Sequence, residues 1–205
     1  MFVISKSFSN ELKIKSSIFK SFIYHVESIQ QIRECIKLLE NKFPDASHIC
    51  YAYRLLELGN NDLFGNPHVL EYSCDDGEPA GTAGKQILNI LKSNEMIFTI
   101  ICVVRYFGGT KLGIPGLINA YKDSSLQVIN LTDKKKWVLY NTIELLYEYS
   151  FHKTVDVLIR KYKGIVKSNN FSDNIYMKVK IPSDSYEEIK IELKEKSKGT
   201  ISIKS

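Results

Sequence analysis

Apolar residues at Ile29, Ile32, Ile36, Leu39 and Phe43, three and four apart with charged residues between them, predict an amphipathic helix that begins after Ser28 and stops at Pro44. Ahead of it, FVISKSF (2 to 8) and IFKSFIYHV (18 to 26) read as strands, with the polar segment SNE as the turn of an opening hairpin or meander. Behind it, SHICYAYRLLEL (47 to 58) alternates and is rich in aromatic and β-favouring residues, which predicts a strand. NNDLFGNP (60 to 67) reads as a loop and HVLEYSC (68 to 74) as another strand. A helix at about 83 to 92 follows, then a buried strand at 97 to 104 within the apolar run MIFTIICVV. A glycine-rich loop spans 107 to 116, and a helix runs from Pro115 to Leu131, where proline is tolerated because the first helical turn has no use for its missing N–H.

The basic, polar segment TDKKKW (132 to 137) interrupts this pattern, and the periodicity restarts after it. The expected division is a first domain at 1 to 132, a basic linker at 133 to 136 and a second domain at 137 to 205. In the second domain the order is strand (138 to 149), helix with Val155, Leu158, Ile159 and Tyr162 on one face, strands (164 to 171 and 175 to 182), helix (185 to 196) and strand (200 to 205). That β-α-β-β-α-β order is the split pattern of ferredoxin-like domains, and it makes the chain α+β. Such a fold hosts many functions, so the chemistry must be sought in particular residues.

Composition changes this picture little. The 205 residues are 44% hydrophobic and 11% aromatic, enough to bury a core in one large domain or two small ones. Lys and Arg number 28 against 23 Asp and Glu, a net charge of +5 that is spread along the chain, so an acidic partner such as RNA is tolerated but not announced. The longest apolar run is too short to span a bilayer, and FVISKSF lacks the charged flank and long apolar stretch of a secretory signal. A cytoplasmic protein with no membrane partner is the expectation. Cys35, Cys50, Cys74 and Cys102 form no C-x-x-C pair and lie in or beside apolar elements, as free buried thiols do. His25, His68 and His152 show no metal-ligand spacing, and neither a metal nor a cofactor is expected.

Chemistry concentrates in two loops, since seven of the eleven glycines fall between Gly77 and Gly116. The first, CDDGEPAGTAGKQIL (74 to 88), departs from a P-loop, because Pro79 stands where a glycine is needed and Gln86 where a hydroxyl follows the lysine. Gly81, Thr82, Ala83 and Gly84 can nevertheless offer backbone N–H groups, and Lys85 a charge, to an anion; a capped helix behind a tight turn is the alternative. Asp75, Asp76 and Glu78 crowd three negative charges together. With His48 they make the site of a possible enzyme acting on a phosphorylated or nucleotide-like substrate, or else they cap the helix and pair with Lys85, Arg105 or Lys111. Cys50, two residues from His48 on one strand face, is either a nucleophile or a packed thiol. The second loop, VVRYFGGTKLG (103 to 113), interleaves Arg105 and Lys111 with Tyr106 and Phe107 beside Gly108 and Gly109. That suits binding to phosphates and bases, unless the rings are core and the cations merely neutralise the acidic loop.

HICYAYRL (48 to 55), DDGEPAGTAGKQIL (75 to 88) and VVRYFGGTKLG (103 to 113) closely resemble the signature segments of the Impact family, whose bacterial members are called YigZ. The resemblance covers roughly the first 130 residues, and the second domain looks like the one that accompanies the bacterial members, which is similar to the last domain of elongation factor G. It implies a first domain of the ribosomal protein S5 domain 2-like type, an α/β sandwich, with the signature loops on one surface. For function it implies a link to translation and brings no reaction or cofactor with it, so a non-enzymatic binding protein is the expectation. The eukaryotic Impact protein is a regulator that competes for the activator of the amino-acid-starvation kinase, and bacterial members are linked through their fold to RNA or the ribosome. The partner implied is RNA, the ribosome or a translation-regulatory protein. The sequence departs from the family where KLG is usually followed by Thr-Gly-Gly-Leu; here Ile114 and Pro115 precede Gly116, with milder changes at Ala80 and Gln86.

Overall fold

The computed structural model describes residues 1–61 and 67–204, which form two compact units, Met1–Trp137 and Val138–Ser205. Of the loop expected at 60 to 67, residues 62–66 lie outside the described residues, while 60, 61 and 67 belong to the flanking strands.

In the first unit a hairpin of β2 (Phe8–Ile14) and β3 (Ser17–His25) joins β4 (His48–Asn61), β5 (Pro67–Cys74) and β6 (Thr99–Tyr106). The sheet is antiparallel, in the order β2-β3-β6-β4-β5. The SNE segment is not the turn. It belongs to β2, whose residues alternate between half-buried and exposed, and the chain reverses at Lys15, which adopts φ 52°. Polar residues on the outer face of an edge strand look like a turn when read without a partner strand.

Central strand β6 is buried along its length, because helices cover both faces of the sheet. Helix α1 (Ile29–Lys42), capped by the Ser28 hydroxyl accepting from Gln31 N, packs Ile32 and Leu39 with Ile100, Cys102 and Val104 on one face. Helices α2 (Gly84–Ser93) and α3 (Gly113–Asn130) pack Ile87, Leu91, Leu117 and Tyr121 with Phe19, Ile23, Cys50, Ile101 and Val103 on the other. Each fully buried aliphatic side chain contributes about 1.5–3 kcal/mol, which makes these faces the main source of the unit's stability. Helix α3 begins two residues before Pro115, still within the turn that needs no amide from it.

The basic segment is not a linker. Lys134–Lys136 forms strand β7, which pairs antiparallel with β1 (Phe2–Ile4), so both ends of the first unit are tied together.

The second unit has β8 (Tyr140–Tyr147), α4 (His152–Lys161), β9 (Ile165–Phe171), β10 (Ile175–Pro182), α5 (Tyr186–Lys196) and β11 (Ser202–Lys204). Its sheet order is β11-β8-β10-β9, every neighbouring pair antiparallel, which is the ferredoxin-like arrangement. Ile143, Leu145, Val179 and Ile181 meet Val155, Leu158, Ile189 and Leu193 in a core of its own. No helix among the described residues is long and apolar enough to cross a membrane.

Candidate functional site

Asp75 answers the question of the first glycine loop. Its carboxylate accepts from the backbone N–H of Gly81 (2.8 Å), Ala83 (3.0 Å) and Gly84 (2.8 Å), so the start of α2 already holds an anion, and that anion is part of the chain. Thr82 is buried and turns both its amide and its hydroxyl to the Pro79 carbonyl. Gly81, Thr82 and Gly84 therefore do not offer the free donors expected of a phosphate cradle. Gly84 is required for packing, since a Cβ there would stand 2.7 Å from the Cys74 backbone.

Asp76 and Gly77 adopt left-handed φ of 44° and 82°. This turn brings the Asp76 side chain to Ile49 N (2.6 Å) and its carbonyl to His48 Nδ1 (2.7 Å). A carbonyl only accepts, so Nδ1 carries the hydrogen, and Nε2 is the free position of the ring.

Glu78 lies on the other side of the turn, with its side chain 3% exposed. Arg105 NH1 donates to its Oε1 at 2.6 Å and the Tyr121 hydroxyl donates to the same oxygen at 2.8 Å. Antiparallel register sets Phe19, Arg105 and His48 side by side in one row across β3, β6 and β4. The guanidinium stands 5.5 Å from the ring centroids of both Phe19 and Phe107. The Cys50 thiol is buried beneath, its single hydrogen shared between the Asp75 carbonyl (3.0 Å) and the Tyr121 hydroxyl (3.3 Å). Burial, reinforced by Glu78, raises that thiol far above its ordinary range, although the Tyr121 hydrogen bond opposes the shift. Cys50 is therefore a packed thiol and not a nucleophile. Burial likewise raises Tyr121, helped by Cys50 and Glu78, so its hydroxyl keeps its proton, donating it to Glu78 while accepting from Cys50.

Above this network opens a pocket of about 510 Å³, lined by Ser47, His48, Glu78, Arg105, Phe107 and Lys111, with Leu112 to Ile114 and Leu117 closing one side. Phe107 is 46% exposed, and its amide donates to Ser47 Oγ at 3.0 Å. Gly108 passes so close to Ser16 that a Cβ would lie 1.8 Å from its carbonyl oxygen, which pins the second loop to the β2–β3 turn. Gly109, by contrast, has open space around it and φ +86°.

The site is thus a subset of the residues expected from the sequence. His48, Glu78, Arg105, Phe107 and Lys111 converge. Tyr106 does not, because alternation along β6 turns it to the α1 face, where its hydroxyl donates to Asp45 at 2.9 Å. Lys85 is exposed on α2 and is not among the pocket's walls. Asp75 and Asp76 are held by backbone amides and Glu78 by Arg105, so of the three carboxylates and His48 only Glu78 and His48 border the pocket. Ser47 and Tyr121 were not foreseen. Tyr121 lies on the buried stripe of α3 with Leu117 and Ala120, and a buried tyrosine hydroxyl calls for a partner, which is a legible signal. Ser47 carries none. Among the described residues no three His, Cys, Asp or Glu side chains group as metal ligands do.

The segments that build this pocket are those of a known family. The model of the Impact N-terminal domain matches residues 15–129, and the chain belongs to the Impact family. It is 33% identical over 196 residues to an IMPACT family member of Haemophilus influenzae, covering 94% of this chain and 90% of that protein. It is 29% identical to the IMPACT family member YigZ of Escherichia coli, covering 93% and 90% respectively. A crystal structure of a hypothetical protein aligns with 98% of this chain and 95% of its own at a TM-score of 0.62 and 24% identity, and so shares the fold.

Proposed function

We propose that this protein serves in the regulation of translation as a binding protein without catalytic activity, engaging RNA, a ribosomal component or a translation-regulatory protein through the mouth of the Arg105 pocket. The observation that supports this most is convergence: the three segments that carry the Impact signature supply His48, Glu78 and the group Arg105, Phe107 and Lys111 to one cavity. Family membership supports the translational side, since the resemblance to the eukaryotic regulator runs through the same segments. Engagement of Asp75, Asp76 and Glu78 within the protein favours binding over acid–base chemistry.

Arg105 holds a buried carboxylate, so the variant that tests the reading combines Lys111→Ala with Phe107→Ala, both exposed positions. The wild type is expected to co-sediment with ribosomes or RNA from a lysate and to release as salt rises, and the double variant to lose that association. A double variant that retains it overturns the assignment of this pocket as the interface, and nuclease treatment separates RNA from protein partners.

A further inference from the structure

Arg105 has more donors than its own partners use. Its side chain is 6% exposed and borders the pocket, and of its three nitrogens only NH1 is engaged, by Glu78. The same pocket holds the first turn of α3, an 18-residue helix whose start has no side-chain cap, whereas α2 is capped by Asp75. First-turn amides have no acceptor within a helix and carry its positive end; Pro115 withholds one N–H, leaving those of Gly113 and Ile114. Lys111 stands exposed at the rim, and Ser47 Oγ already accepts from Phe107 and has its hydrogen to give. Glu78 also borders the pocket, with its charge met by Arg105 and its Oε1 by Tyr121 as well, so the unbalanced charge is that of Lys111 and the helix.

Donors arriving from several sides suit a tetrahedral anion. The cavity is far larger than such an anion, and its remaining wall is an exposed aromatic ring with Leu112, Ile114 and Leu117. An anion joined to a flat ring that stacks on Phe107 fills both halves.

We infer that the pocket binds a nucleotide, with its phosphate between Arg105, Lys111 and the first turn of α3 and its base against Phe107. The ligand is either a free nucleoside monophosphate or the 5′-terminal nucleotide of an RNA. This rests on the binding reading above for its location and adds the ligand's chemistry.

The test is titration of the full-length protein at low salt with adenosine 5′-monophosphate, adenosine and inorganic phosphate, followed by calorimetry and by amide NMR. The monophosphate is expected to bind and to shift the amides of Phe107 and of residues 111 to 117 other than Pro115, with adenosine at least about tenfold weaker, the equivalent of one charge-assisted hydrogen bond. Lys111→Ala is expected to weaken the monophosphate about tenfold, and Phe107→Ala to weaken it while leaving inorganic phosphate unchanged. Competition by an RNA bearing a 5′-phosphate, but not by its 5′-hydroxyl counterpart, supports an RNA end as the source; binding without such competition supports the free nucleotide. Absence of shifts at 111 to 117, or shifts indifferent to Lys111→Ala, overturns the inference. If ribosome association is lost in the Lys111, Phe107 double variant while the wild type binds no nucleotide, this inference fails and the translational reading stands. Nucleotide binding beside undiminished association has the reverse meaning.

Discussion

Asp75 and Glu78 are both carboxylates, three residues apart, and they do unlike work. Asp75 satisfies three amides at the start of α2, and Glu78 neutralises a buried guanidinium. Asp75→Ala leaves those amides without an acceptor and is expected to lower stability by about 2 kcal/mol in denaturant unfolding; an unchanged midpoint would rule out the cap. Arg105→Ala strands a buried negative charge and is expected to cost about 3–5 kcal/mol, much of which Glu78→Gln restores in the double variant. Simple additivity of the two changes would show that the pair is not coupled. The sequence held the charges and their crowding but not their assignment. Which carboxylate caps and which pairs depends on the left-handed turn at Asp76 and Gly77, and on a cross-strand row that only strand register creates.

At the level of elements, the helices were legible almost to the residue, because their apolar spacing and their start and stop signals agree: Ser28 and Pro44 bracket α1 as expected. The misreadings concern strands whose partners are distant in sequence. SNE looked like a turn because β2 is an edge strand with polar outward positions, and KKK looked like a linker because β7 pairs with β1 across the whole first unit. A protein ending at residue 132 lacks β7, and it is expected to unfold at lower denaturant than one ending at 137; equal midpoints would mean that the β1 pairing contributes nothing. Glycine substitutions separate packing from backbone conformation. Gly84→Ala drives a methyl group into the Cys74 backbone and is expected to cost about 3 kcal/mol. Gly109→Ala, with open space and only a positive φ to bear, costs about 1 kcal/mol. Thermal unfolding of the two variants side by side checks the order, which would be reversed if the loop at Gly109 were the more tightly packed.

For the whole molecule, two units with separate cores follow from the restart of periodicity near residue 137, and the βαββαβ order of the second unit was readable because each of its elements carries its own pattern. The pocket was readable only in part. Arg105, Phe107 and Lys111 stood out by type, whereas the exclusion of Tyr106 follows from strand alternation and the arrival of Ser47 from its bond to the Phe107 amide. The central claim is that this pocket is where the protein meets the translation machinery. A photo-reactive residue placed at Ile114, an exposed wall of the pocket, tests it inside cells, with attached RNA and attached protein identified separately. The account predicts crosslinks to ribosomal RNA, ribosomal proteins or translation factors that fall sharply when Lys111→Glu is added. Crosslinks confined to molecules outside translation, or undiminished by that change, would contradict it.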